Sequence, residues 1–149
     1  MRLLGRRSCF SLARRESLLA LFLLVACGTV GRAELPPYVY KEQQQQAPES
    51  LVIKVRSVKT RKTDEPHRTR VDVEVRAQVK QVVRSKTGLR AGDTILISYV
   101  HSRHKEPIAG PSETPILKKG QTCPAYLSGG EKQKRYAPAA GGYSFEEVK

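Results

Sequence analysis

Three histidines and three cysteines are the side chains best suited to chemistry in this chain of 149 residues. His101 and His104 stand in His101-Ser102-Arg103-His104, a spacing that would bring both rings to one metal if the segment made a helical turn, with Cys123 as a third ligand. A metal centre needs three or four converging ligands. Arg103 and Lys105 would repel a cation, and the segment reads as a strand end entering a loop, so ordinary surface histidines are the favoured reading. Cys123 would serve as a nucleophile if a histidine activated it. It sits in Gln121-Thr122-Cys123-Pro124-Ala125-Tyr126-Leu127, which reads as a core strand, where a lone cysteine behaves as a small hydrophobe. The carboxylates Asp64-Glu65, Glu106 and Glu146-Glu147 fall in turns or near the tail. Gly129-Gly130 and Gly141-Gly142 lack a phosphate-loop context, and Ser128 and Ser144 have no triad around them. No catalytic residue, metal site or cofactor is expected, and the chain does not read as an enzyme. A metal-binding or enzymatic protein using His101, His104 and Cys123 is the weakest alternative.

Basic clusters are the better candidates for contact. Arg56, Lys59, Arg61 and Lys62 gather around the end of a first apolar segment. Lys118-Lys119 and Lys132-Gln133-Lys134-Arg135 flank a later one. Arg56, Lys59, Arg61, Lys118, Lys119, Lys132, Lys134 and Arg135 are therefore the expected contacts to a polyanion, with Tyr126, Tyr136 and Tyr143 available for stacking. The plainer alternative is a solvated basic surface that maintains solubility.

The first 33 residues read as an address. Arg2, Arg6, Arg7, Arg14 and Arg15 precede an uncharged run from Leu18 to Val30. A basic start followed by about 13 apolar residues is the pattern of a secretory signal peptide, and the run is too short for a comfortable bilayer span. Two exits compete. Cleavage after Ala33 would leave Glu34-Leu35-Pro36-Pro37 as the new start. Leu24-Val25-Ala26-Cys27 resembles the lipobox of bacterial lipoproteins, which implies acylation of Cys27 and a membrane-anchored chain. Localisation is expected to be extracytoplasmic, secreted or periplasmic, with the membrane reached only through that anchor. The whole chain carries a formal charge of +13, and residues 34–149 hold 21 basic and 13 acidic residues, a net +8. That balance favours an unknown protein or an anionic surface as partner. Nucleic acid is not expected, because an exported protein rarely meets it. Without Cys9 and Cys27, Cys123 stands alone, so no disulfide can hold the fold.

What must position these residues is a sheet. Residues 34–50 (ELPPYVYKEQQQQAPES) form a linker or one short helix, opened by Pro36-Pro37 and ended by Pro48. Leu51, Ile53 and Val55 share one face of a first strand. Residues 60–68 read as a polar turn. Val71, Val73, Val75, Ala77 and Val79 alternate with Arg70, Asp72, Glu74, Arg76, Gln78 and Lys80, which predicts a strand with one dry and one wet face. The alternation slips at Gln81-Val82-Val83, a bulge or bend. Thr94–Val100 and Thr122–Leu127 are a third and fourth strand around a long Pro-rich loop, and Tyr136–Phe145 returns as a short edge strand. The expectation is an all-β domain over 51–149, a small five-stranded OB-like barrel; a flat sheet packed on the 36–47 helix is the alternative.

The stretch from Gly88 to Leu127 has a grammar of its own: G-L-x-x-G-D-x-I-x-I-x-Y, a loop with Gly110-Pro111, then P-x-L-x-x-G-x-x-C-x-A-Y-L. It resembles the netrin-module and tissue-inhibitor-of-metalloproteinase group of OB-fold domains and the secreted bacterial proteins similar to them, over roughly residues 50–145. The resemblance implies an OB-type barrel in an extracytoplasmic setting. The animal inhibitors chelate a protease zinc through an N-terminal cysteine and are braced by disulfides. Neither feature is found here, so protease inhibition is not implied.

Overall fold

The computed structural model describes residues 34–106, 110–130 and 134–148. The expected signal peptide, Cys27, Ala33 and Lys132 lie outside the described residues.

Pro36 and Pro37 fix the backbone for a first helical turn, and the chain between the prolines forms α1, Pro37–Gln46. Tyr40 and Gln44, four residues apart, fall on one side of it and are buried. The Tyr40 ring lies 4.6 Å from that of Tyr143, and its hydroxyl accepts from the Ser112 N–H at 3.1 Å. The Gln44 amide donates to the carbonyls of Tyr143 and Glu146 at 2.8 and 2.7 Å. A helix end leaves carbonyls without intrahelical partners. Here Arg84 supplies donors, to Gln44 O at 3.0 Å and Ala47 O at 2.9 Å. Among the described residues no helix is long and apolar enough to cross a membrane.

Five strands follow: β1 Glu49–Asp64, β2 Arg68–Ser85, β3 Thr94–His104, β4 Thr122–Gly129 and β5 Arg135–Pro138. They form one sheet that closes on itself in the order β1-β2-β3-β5-β4. All neighbours are antiparallel except β3 and β5, which run parallel through Leu96–Arg135 and Ile97–Tyr136. The closed ring replaces the flat-sheet alternative. Closure needs the strands to bend, and the register slips where they do. β2 carries extra residues at Lys80 and Val83, close to the slip read from the sequence, and β1 carries one at Arg56.

The alternating valines of β2 all face the interior. They meet Leu51, Ile53 and Val55 from β1, Ile95 and Ile97 from β3, and Cys123, Ala125 and Leu127 from β4. Leu89, Leu117 and Phe145 join this core from outside the strands. One acid is also fully enclosed. Glu49 accepts the Thr87 N–H on Oε1 at 2.9 Å, while its Oε2 meets no donor among the described residues.

Two sequence expectations are corrected. The polar stretch 60–68 is not one turn, because Thr60–Asp64 continues β1 and only residues 65–67 reverse the chain. The backbone ladder to β2 carries that continuation, with Lys59 opposite Glu74 and Arg61 opposite Asp72, although few apolar side chains are there. The last strand is Arg135–Pro138 and is no edge: it bonds β3 on one side and β4 on the other. Residues 139–148 fold as turns against α1 instead, with a 3-10 turn at Gly141–Tyr143.

Candidate functional site

Strand pairing arranges the wet faces of β1, β2 and β3 into cross-strand rows. Lys59 lies opposite Glu74, and Glu74 opposite Ser98. In the next row Arg61 lies opposite Asp72, and Asp72 opposite Val100. Arg135 of β5 joins through its pairing with Leu96. These residues, together with Thr60, Val73 and Tyr99, line an open groove of about 520 Å³.

Its electrostatics are mixed. Arg70 grips Asp72 from two nitrogens, at 3.0 and 2.9 Å, so that carboxylate is compensated along its own strand. Among the described residues Lys59, Arg61 and Arg135 form no ion pair. Val100 adds an exposed apolar surface, 41% accessible. The Ser98 hydroxyl is buried and meets no partner among the described residues. Tyr99 donates its hydroxyl to Pro115 O at 2.8 Å, and burial pushes that phenol up to about 12, so it stays neutral.

The expected contact residues divide into three places. Lys59, Arg61 and Arg135 line the groove. Lys118 and Lys119 lie in a turn pinned to β1 by Gly120 N–H to Val55 O at 2.9 Å and Val55 N–H to Gln121 O at 2.8 Å. That turn therefore neighbours Arg56, which sits at the β1 bulge and donates to Gln78. Lys134 stands apart, 3.4 Å from Asp93. The Asp93 carboxyl is held below the ordinary aspartate range, first by the Arg90 N–H that bonds it; burial opposes this, and the nearby Lys134 charge adds a lesser downward pull.

His101 and His104 are occupied elsewhere. His101 Nδ1 bonds Thr114 O at 2.9 Å, and His104 lies 3.8 Å from a Glu113 oxygen. Cys123 faces the core, opposite Ile53 on β1, and burial pushes its thiol up to about 11. A thiol so protonated is a poor nucleophile at neutral pH. Among the described residues no group of three or more His, Cys, Asp or Glu side chains is placed to hold a metal.

Sequence reading missed Asp72, Glu74, Ser98 and Val100 as partners of the basic residues. The period-two pattern of β2 already put Asp72 and Glu74 on the wet face. Their meeting with Lys59 and Arg61 depended on β1 continuing past residue 60. No family model, curated protein or solved structure matches this chain.

Proposed function

We propose that this chain is an exported, non-catalytic binding module on an OB-type barrel, and that it takes a protein partner in the groove across β1, β2 and β3. The observation that carries this is the groove's lining: three cations without ion-pair partners, two carboxylates and an exposed valine in one open channel. OB barrels take ligands on the face of their second and third strands. The ring order, with β3 parallel to β5, supports that fold type. A polypeptide segment of mixed charge suits such a lining better than a polyanion, which would meet Asp72 and Glu74. The kinship to the netrin-module and tissue-inhibitor group is proposed for fold and setting alone.

A photo-crosslinking residue placed at Val100, and separately at Val83 on the far part of β2, tests the site in the producing cell. A discrete adduct from Val100 and none from Val83 supports the groove. The same adducts from both positions, or none from either, overturn it.

Binding of an anionic polymer is the second reading, favoured by Arg56 standing beside the Lys118-Lys119 turn. Retention on heparin that falls steeply with salt supports it, since phosphate and sulfate contacts are screened. Elution that ignores salt removes it. The intact mass of the mature protein tests export: a start at Glu34 or an acylated Cys27 supports it, and a retained Met1–Ala33 segment overturns it.

A further inference from the structure

β1 is longer than the neighbour on its outer side. Its pairing with β4 ends at Lys54–Thr122, and among the described residues the bonds of Val55 to Gly120 and Gln121 are the last on that side. From Ser57 to Asp64 the strand has β2 on one side and, among the described residues, no strand on the other.

The direction of its free backbone groups follows from the ladder. In an antiparallel pair, residues that exchange hydrogen bonds alternate with residues whose groups point away. Glu65 N–H donates to Arg68 O at 2.9 Å, which fixes the phase. Stepping back by twos, Thr63–Arg70, Arg61–Asp72 and Lys59–Glu74 are the bonded pairs. Val58, Thr60 and Lys62 therefore turn their N–H and C=O groups away from β2. The other side of β2 agrees. Lys105 N–H to His67 O and Val79 N–H to Asp93 O direct the odd-numbered residues of β2 towards β3, and Val71, Val73 and Val75 are the partners of Lys62, Thr60 and Val58.

The opposite border of this three-stranded region is dressed. β5 stops at the level of Ile97, but beyond it Glu113 accepts the Ser102 N–H at 3.3 Å, and the loop around it is fastened to Tyr99 and His101. The β1 border has no such cover among the described residues. It is also cationic. Lys59, Arg61 and Lys62 are exposed and form no ion pair there. Two copies of this strand laid edge to edge would oppose like charges, which disfavours self-pairing.

We propose that the β1 edge from Val58 to Lys62 accepts an extended segment of a partner protein as a sixth strand, with acidic residues at alternate positions beside Lys59 and Arg61. Main-chain bonds give such strand addition its affinity, and alternate side chains its selectivity. Lys59 and Arg61 also rim the groove, so strand addition rests on the groove being a protein contact surface.

The test uses a synthetic peptide of alternating Glu and Val, its Lys and Val counterpart, and two forms of the first that are N-methylated at alternate amides of opposite parity. The Glu peptide should bind and the Lys peptide should not. One N-methylated form should lose about tenfold or more in affinity while the other keeps it. Thr60→Pro should weaken binding comparably, because its N–H points outward and its loss takes no bond from β2. The methylated peptides leave the protein unchanged, so the result does not depend on how that variant folds. Equal binding by both methylated forms overturns strand addition. So does failure of the Glu peptide to bind, or a dimer of the chain that the Glu peptide fails to dissociate. If binding ignores methylation yet is lost in Val100→Glu, the edge is excluded and the groove stands. Crosslinking at Val100 judges the groove whatever the peptides do.

Discussion

β1 has two halves that behave differently. In the ring, Leu51, Ile53 and Val55 alternate with residues on the wet face and are almost fully enclosed. Past the bulge at Arg56 the same strand is exposed on nearly every residue, although β2 still pairs with it as far as Asp64–Thr69. Both halves have the ladder to β2; only the first is also joined to β4 on its other side. A strand is thus held in place by pairing but stabilises the fold by burial. The part that escapes closure survives as an unfinished edge because its charges discourage the wrong neighbours.

The sharpest contrast is expected from core truncation. Ile97→Ala removes a fully buried side chain of the ring and should cost about 2–5 kcal/mol. Thr60→Ala, in the exposed half of β1, should fall within about 0.5 kcal/mol of the parent. Urea unfolding of the two variants measures both. Similar losses would mean that the extension shares the core's burial, and the contrast would be lost.

A smaller effect separates the ring from its helix. Gln44→Ala strips the donor from the Tyr143 and Glu146 carbonyls and the acceptor from the Val148 N–H. A buried polar group left without its partner costs about 1–3 kcal/mol. The loss should be accompanied by faster amide exchange at Ser144–Val148, with β2 amides changed only by the global destabilisation. Uniform exchange without that local opening would show that α1 and the tail unfold only with the ring.

Alkaline pH probes the boundary between the two halves. Burial raises the Cys123 thiol from 9.0 to about 11 and the Tyr99 phenol from 10.0 to about 12. In both, the unfolded chain releases its proton first, so the native state holds more protons and stability falls as pH rises. The contribution is intact below pH 9 and is lost from 9 to about 11 for the cysteine, and from 10 to about 12 for the tyrosine. Cys123→Ala should flatten the first part of that decline, and Tyr99→Phe the second. An unchanged decline in both variants would assign it to other groups.

The sequence made the ring legible because burial writes a period. Val71 to Val79 could lie only on a strand with one dry face, and Pro36-Pro37 and Pro48 bracketed α1. The extension carries no such mark. Thr60, Arg61, Lys62 and Thr63 look like a turn, because their strand state is imposed by Val73, Asp72, Val71 and Arg70 across the ladder and not by local pattern. β5 was misplaced for a related reason. Four residues cannot display a period, and Arg135–Pro138 is a strand because two neighbours complete it. The clustering of basic residues was visible, but which of them share a groove depended on register, where a slip of one residue moves a side chain to the other face.

The weakest expected effect bears on what holds the extension together. At its tip Arg68 Nε meets Glu65 Oε2 at 2.7 Å, with the side chains 42% and 34% exposed. A pair so open to water is worth about 0.2–0.5 kcal/mol and is screened by salt. Glu65→Gln should therefore lower stability by no more than that, with the difference gone at about 1 M salt. The backbone bond from Glu65 N–H to Arg68 O is untouched by the change, so the tip's register should persist in the variant's amide exchange. A loss several times larger, or exchange opening from Thr60 to Arg70, would mean that side-chain charge and not the ladder fixes the end of β1. The outward direction of Val58, Thr60 and Lys62 would then vary with ionic strength, and the open edge with it.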